Sequence, residues 1–228
     1  MPENVRSYLF SGTQHIPGGY LPSQGPGMQK PNGSEFGFSQ RALLVAMDDW
    51  VKNNIPPPRS AIPRLADKTL VPAKRIAFPD VPGVHSPTTI EAGYRANLEQ
   101  PDSHPLPLLV PQVDSDGNEL AGIRLPNVAV PLATYTGWNF RDPLIGMADK
   151  LLPLTGSFIP FSRTKAEREQ ARDPRLSIEE RYQSRSQYGM LVREAASKLV
   201  QERYLLTRDV PAVVDRALET WDQVMKPR

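Results

Sequence analysis

Cysteine is absent from this 228-residue sequence, which excludes disulfide bonds, thiolate nucleophiles and cysteine-ligated metal sites. Long hydrophobic runs are lacking too, since no apolar stretch approaches the roughly 18 residues that cross a bilayer, and we expect no membrane span. A strong charge of one sign is also missing, because 27 basic residues face 25 acidic ones. This balance gives no reason to expect a nucleic-acid partner. The first residues lack a signal-peptide pattern, and the compartment and oligomeric state are left open.

Complete catalytic motifs are lacking as well. The sequence contains no G-x-S-x-G elbow, no C-x-x-C, no H-E-x-x-H and no phosphate-binding glycine loop. Its three histidines are His15, His85 and His104, and their spacing defines no zinc site. We therefore expect no metal and no cofactor, and we expect His85 and His104 to be surface or structural residues. A metal-dependent hydrolase built on the three histidines is the weakest alternative.

Proline, in contrast, is abundant, with 25 residues, and 22 of these lie in residues 1–160. Proline fixes φ and removes a main-chain donor, so this part should be rich in irregular or edge structure. We predict three regions: a strand, histidine loop and helix in 1–55, a proline-rich β and irregular region in 56–160, and a helical tail in 161–228. The stretch 16–33, rich in glycine and proline, is predicted to be a long loop.

The segment Val5–Phe10 is β-branched and aromatic and is followed by Ser11-Gly12, which predicts a short strand and a turn. His15 follows this strand on a loop. In open α/β sheets, ligands and catalytic groups gather at the carboxyl ends of the strands. A histidine in that position can exchange protons near neutral pH, although a plain surface role is the commoner one.

A helix is predicted over 38–53, with Ser39 as its N-cap. Its apolar residues recur at three- and four-residue spacing, so we expect them to face the core. They are Leu43, Leu44, Met47, Trp50 and Val51.

Further along the chain, a small hairpin is predicted over 64–71, with Asp67-Lys68 at its middle, and a further strand over 74–78. Asp114-Ser115-Asp116-Gly117 is similar to the start of a calcium loop, but position 12 of that loop would be Leu125, so the pattern predicts a hairpin turn instead. Trp138 and Asn139 follow an apolar segment and are candidate substrate-binding residues. The alternative is that Trp138 packs in the core and Asn139 caps a turn.

The tail contains two capping-box patterns, at Thr164–Glu167 and Ser177–Glu180, which predict helix starts. Two amphipathic segments follow, one ending near Tyr204 and one starting at Thr207 or at Val210. We predict that they form an antiparallel pair with solvated outer faces.

Several medium-length motifs together carry a family resemblance. They are Pro2–Arg6 with Gly12–His15, Arg41–Val51, Val110–Asp114 with Asp116–Glu119, Gly122–Pro126, Ala133–Asn139, Gly156–Phe161 and Arg181–Arg185. In this order they resemble the C-terminal part of a bacterial family of alpha/beta hydrolase domain-containing proteins, over nearly the whole chain. The resemblance implies an α/β class: a partial α/β-hydrolase-like fold with the last sheet strand and helix, a proline-rich β and irregular region, and a C-terminal helical tail.

In α/β-hydrolases the triad runs serine, then acid, then histidine along the chain, so the resemblance assigns His15 to the last member. The nucleophile and the acid are then expected upstream of Met1. The implied function is that of a serine esterase or acyl hydrolase acting on a small ester or acyl substrate, and we expect this chain alone to be inactive. The alternative is a non-catalytic binding or structural module.

Overall fold

The computed structural model describes residues 2–16, 25–85, 87–89 and 107–226. Within these ranges the chain is mixed α/β, with short strands and six helices. The strands are β1 (Lys30–Pro31), β2 (Leu70–Pro72), β3 (Leu109–Pro111), β4 (Ala133–Thr136) and β5 (Ser157–Pro160). The helices are α1 (Gly37–Asn53), α2 (Pro126–Ala129), α3 (Lys165–Ala171), α4 (Ile178–Arg181), α5 (Arg185–Gln201) and α6 (Val210–Val224). Residues 17–24 of the predicted long loop 16–33, and His104, lie outside the described residues, and Lys30–Pro31 within that stretch forms β1.

The strands form two small antiparallel sheets, one in the order β1-β5-β4 and one of β2 with β3. In the first sheet, Tyr135 pairs with Phe158. Strands β1, β2, β3 and β5 each end at a proline. Because proline has no amide hydrogen to donate to a neighbouring strand, the abundance of proline explains why the strands are short.

The predicted strands in 64–78 are only partly correct. Residues 70–72 do form a strand, but it pairs with the distant β3 rather than within a local hairpin. Residues 74–78 form no strand, because Ala73–Arg75 is a 3₁₀ helix. The predicted turn at 114–117 is confirmed: Gly117 has a φ of +79°, and Val113 pairs with Glu119 across the turn.

The helical tail largely matches its prediction. The hydroxyl of Thr164 caps α3, and Ser177 with Glu180 forms a complete capping box at α4. Arg185 at the start of α5 is paired with Asp222 near the end of α6, which makes these two helices antiparallel. No helix of the described residues is long and apolar enough to cross a membrane.

Buried side chains from distant parts of the sequence share the core. One cluster joins Phe36, Ile123 and Leu205, and another joins Leu132 and Phe161 with buried residues of α4, α5 and α6. The division into regions 1–55, 56–160 and 161–228 remains a proposal.

Helix α1 has the predicted length, but its apolar stripe is not buried. Leu44, Met47 and Val51 are 67%, 59% and 77% exposed, whereas the buried residues are Ser39, Ala42 and Ala46. The prediction that this stripe faces the core of this chain is therefore wrong for Leu44, Met47 and Val51, whereas Leu43 is half-buried and packs against the core cluster of Phe36. The side of α1 with small residues packs closely against the rest of the chain, and Leu44, Met47 and Val51 face outward. Ser39 is also not the N-cap, since the helix begins after Phe36 without a side-chain cap.

The predicted strand at Val5–Phe10 is extended but pairs only through single bridges. Leu9 donates its amide to the carbonyl of Ala61 and accepts from the amide of Ile123, at 2.9 and 2.7 Å. Ala61 in turn donates to Ser7, and Ser11 donates to Ile123. Both bridges are parallel and lie on the same edge of the segment, because alternate residues direct their main-chain groups to the same side.

The other edge of this segment is open. Among the described residues, the amides of Tyr8 and Phe10 and the carbonyl of Tyr8 have no main-chain partner, and the carbonyl of Phe10 accepts only the hydroxyl of Thr13. An unpaired strand edge is a template for another strand. This open edge lies beside the exposed stripe of α1, because Tyr8, Phe10, Leu44 and Met47 line one apolar groove.

Candidate functional site

His15 lies at the end of a tight turn after the extended N-terminal segment, and its side chain is exposed. We refer to residues 11–15 as the histidine loop. Gly12 makes the turn possible, since its φ is +60° and a Cβ atom there would lie 2.7 Å from the carbonyl oxygen of Tyr135. Only glycine combines that backbone angle with such a close approach. The ring of His15 makes no hydrogen bond to any described residue.

The peptide groups of Gly12 are held from both sides. The amide of Gly12 donates to Oε2 of Glu119 at 2.9 Å, and its carbonyl accepts from Nδ2 of Asn32 at 2.5 Å. Asn32 is fully buried, and its Nδ2 also donates to the carbonyl of Thr136 at 2.9 Å. The loop is thereby tied to the segment after β1, to the hairpin at 113–119 and to β4.

Two further side chains of the loop bond to the main chain of other segments. The hydroxyl of Ser11, which is fully buried, donates to the carbonyl of Ala121 at 2.6 Å. The amide of Gly156 donates to Oε1 of Gln14 at 3.0 Å. An exposed imidazole thus stands on a loop whose other residues are anchored, which is the arrangement expected of a group that must be presented in a fixed position.

Glu119 was not singled out from the sequence, where it appears only as the last residue of the motif Asp116–Glu119. Glu119 lines an apolar cavity of about 70 Å³ together with Val113, Tyr135 and Trp138. Burial raises the pKa of Glu119 from 4.5 to about 7, and the Gly12 amide opposes that rise only in part. This carboxyl therefore changes its protonation near neutral pH.

Trp138, a predicted substrate-binding residue, is partly buried and contacts the rings of Phe78 and Phe140 edge to face, at centroid distances of 5.4 and 5.7 Å. It lines the same cavity as Glu119. The adjoining Gly137 packs closely on the histidine loop, because a Cβ atom there would lie 2.9 Å from the carbonyl oxygen of Thr13. The segments that carry His15 and Trp138 are therefore in contact, and the role of Trp138 in substrate binding stays a prediction.

Asn139, the other predicted substrate-binding residue, is fully buried. Its Nδ2 donates to the carbonyls of Gln29 and Gly156, at 2.8 and 3.3 Å, and its Oδ1 accepts from the amide of Gln29 at 3.3 Å. These bonds join the segment before β1 to the segment before β5. In this arrangement Asn139 supports the loops around the site, and its contact with substrate stays a prediction.

The described residues contain no group of three histidine, aspartate or glutamate side chains that could hold a metal ion. His85 is exposed, and its ring contacts Phe140 edge to face at 5.3 Å. The alternative metal site made of three histidines involves His104, which lies outside the described residues.

Comparison with known protein families matches the chain to the alpha/beta hydrolase domain over residues 3–215. Comparison with curated proteins and comparison with solved structures give no match. The matched range includes the histidine loop, Glu119 and Trp138.

Proposed function

Because the chain belongs to the alpha/beta hydrolase domain family, we propose that it supplies the histidine of an esterase or acyl-hydrolase site, and that His15 is that residue. The nucleophilic serine and the acid would come from a segment that precedes residue 1 in the same protein, since this sequence has no G-x-S-x-G elbow.

The observation that carries the proposal is the presentation of His15. It is an exposed imidazole directly after an extended segment, on a loop whose neighbouring residues are anchored by Glu119, Asn32 and Gly156. In α/β sheets this position, just past the carboxyl end of a strand, is where catalytic groups converge.

The open edge and the exposed helix face support the second part of the proposal. The unpaired amides of Tyr8 and Phe10 can bond to a further strand, and the apolar stripe of Leu44, Met47 and Val51 can pack on the sheet that this strand would belong to. Such a sheet would extend toward the histidine loop and could bring a serine and an acid next to His15.

In this site His15 would accept the proton of the serine hydroxyl as the serine attacks the acyl carbon, and then donate it to the departing alcohol oxygen. The acid would hold the ring in the correct tautomer. The substrate class is a small ester or other acyl compound, with Trp138 as a candidate contact for its apolar part.

The experiment uses the reading frame upstream of Met1. The protein encoded by that frame together with this chain should contain a G-x-S-x-G motif and hydrolyse short p-nitrophenyl esters. His15→Ala should lower kcat by roughly 10²–10⁴-fold, whereas the control His85→Ala should leave kcat within about twofold of the parent.

An upstream frame without a serine elbow, or equal kcat for His15→Ala and the parent, would contradict the proposal. A monodisperse, cooperatively unfolding 228-residue chain together with a missing elbow would instead favour the non-catalytic module.

A further inference from the structure

We propose that Glu119 is a positioning residue: its carboxyl group holds the Gly12 peptide and, through it, the loop that carries His15. The catalytic role of His15 rests on the proposed function, but the hydrogen bond between Glu119 and the Gly12 amide does not depend on it. Glu119 is not assigned the role of triad acid, since its bond is to the loop's main chain and not to the His15 ring.

The geometry places Glu119 and Asn32 on the two peptide groups that flank the Cα atom of Gly12. Oε2 of Glu119 lies 2.9 Å from the Gly12 amide nitrogen, while Asn32 bonds to the Gly12 carbonyl. A glycine at φ +60° has wide backbone freedom when it is unrestrained, so these two side chains fix the direction in which the loop leaves the turn. His15 is only three residues further along.

The hairpin that carries Glu119 is itself rigid. Oδ1 of Asp114 accepts the amides of Asp116 and Asn118, both at 3.0 Å. The side chain of Asn118 is fully buried, donates to the carbonyl of Ala133 and accepts from the amide of Tyr135. Glu119 is therefore held by a fixed support.

The surroundings of the Glu119 carboxyl make its hydrogen bond to the Gly12 amide depend on pH. The cavity around Glu119 is apolar, and no charged side chain among the described residues contributes to the shift of its pKa to about 7. Tyr135 is the other titratable group that lines the cavity, and burial raises its pKa, so its phenol remains neutral. A hydrogen bond from an amide to a carboxylate is about twice as strong as one to a neutral group. Ionisation should therefore strengthen the hydrogen bond to the Gly12 amide itself, although the apolar cavity disfavours the carboxylate and makes the folded chain as a whole less stable above pH 7.

The test follows the amide of Gly12 in ¹⁵N-labelled protein between pH 5 and pH 9. In the parent chain the Gly12 amide signal should move with a midpoint near pH 7. In Glu119→Gln, which keeps an acceptor oxygen but cannot ionise, that movement should disappear. The control Asp215→Asn removes an exposed carboxylate on α6 and should leave the Gly12 titration unchanged.

A second measurement reports the positioning directly. In Glu119→Ala the amides of the histidine loop should exchange with solvent at least tenfold faster at pH 8, with unchanged exchange in α5. If Glu119→Ala fails to fold, the Gln variant still tests the proposal, because it preserves the size and the acceptor.

A Gly12 signal that does not titrate near pH 7, or that titrates equally in Glu119→Gln, would overturn the inference. A folded Glu119→Ala chain in which the amides of the histidine loop exchange with solvent at the parent's rate would overturn it as well. None of these measurements needs esterase activity, so the failure of this inference is distinguishable from failure of the proposed function.

Discussion

At the scale of single residues, the histidine loop depends on groups that bond to its main chain rather than on the histidine. Gly12 supplies the left-handed turn, Asn32 and Glu119 hold its peptide groups, and Ser11 and Gln14 tie the loop to its neighbours. Sequence patterns pointed to His15 because its residue type is chemically distinctive. They did not point to Glu119 or Asn32, because a carboxylate in a turn and an amide in a glycine-rich stretch are ordinary in sequence.

Glu119 should make the stability of the chain fall as pH rises. Its folded pKa of about 7 lies above the unfolded value of 4.5, so between these values the folded state binds more protons than the unfolded state. The stabilisation is fully present below about pH 4.5 and is lost as pH rises through 7, for a total of about 3 kcal/mol.

Urea unfolding at pH 5 and pH 8 measures this effect as a difference between variants. The parent should lose more stability than Glu119→Gln between the two pH values, by a margin of up to about 3 kcal/mol. Identical losses in the two proteins would show that Glu119 is not buried as described.

Gly12→Ala should destabilise the chain by about 2 kcal/mol or more, since the added Cβ meets both an unfavourable φ and the main chain of Tyr135. Gly37→Ala is the matched control, because a Cβ at that position on α1 has nothing within 4 Å, and its effect should be neutral or slightly stabilising. Thermal unfolding compares the two. Equal melting temperatures for both variants would contradict the tight turn.

At the scale of elements, a buried arginine joins the tail to the three-stranded sheet. The guanidinium of Arg175 is paired with Asp173 at 2.6 Å and also donates to the hydroxyl of Thr134 and the carbonyl of Ile159. Both partners of the ion pair are almost completely buried. This pair connects the turn after α3 to β4 and β5, the strands that support the segment of Trp138.

Removing one partner of a buried ion pair leaves an uncompensated charge, so Arg175→Ala should lower the free energy of unfolding by about 3–5 kcal/mol. Arg193→Ala, on the exposed side of α5, is the control and should change it by less than about 0.5 kcal/mol. Denaturant unfolding at neutral pH gives both values. A cost below about 1 kcal/mol for Arg175→Ala would show that this contact does not hold the tail to the sheet.

At the scale of the whole molecule, the described residues form a covered core and leave an apolar face of α1 uncovered. The core joins all three predicted regions, while the groove between the N-terminal segment and α1 remains open. An exposed apolar face next to an open strand edge promotes association.

The 228-residue chain by itself should therefore self-associate through this face. Replacing Leu44, Met47 and Val51 together by glutamate should shift it toward monomer in sedimentation velocity, because the charged face cannot be buried. Met190→Glu changes a residue of α5 that is 63% exposed and should leave the association unchanged. If the parent and the triple variant associate to the same extent, the exposed face of α1 does not mediate the association.

The sequence by itself determined the features that depend on a few neighbouring residues. These are the capped starts of α3 and α4, the glycine turn at 114–117, the length of α1 and the family to which the chain belongs. Each rests on local backbone preferences or on the order of short motifs, which can be identified along the chain.

Only the tertiary structure decided which faces are buried and what holds the histidine loop. The bond between Gly12 and Glu119 joins residues 107 positions apart, and the outward direction of Leu44 follows from close packing on Ala42 and Ala46. Burial and pKa depend on the atoms that surround a group in space, and periodicity cannot tell which side of an amphipathic helix finds a partner.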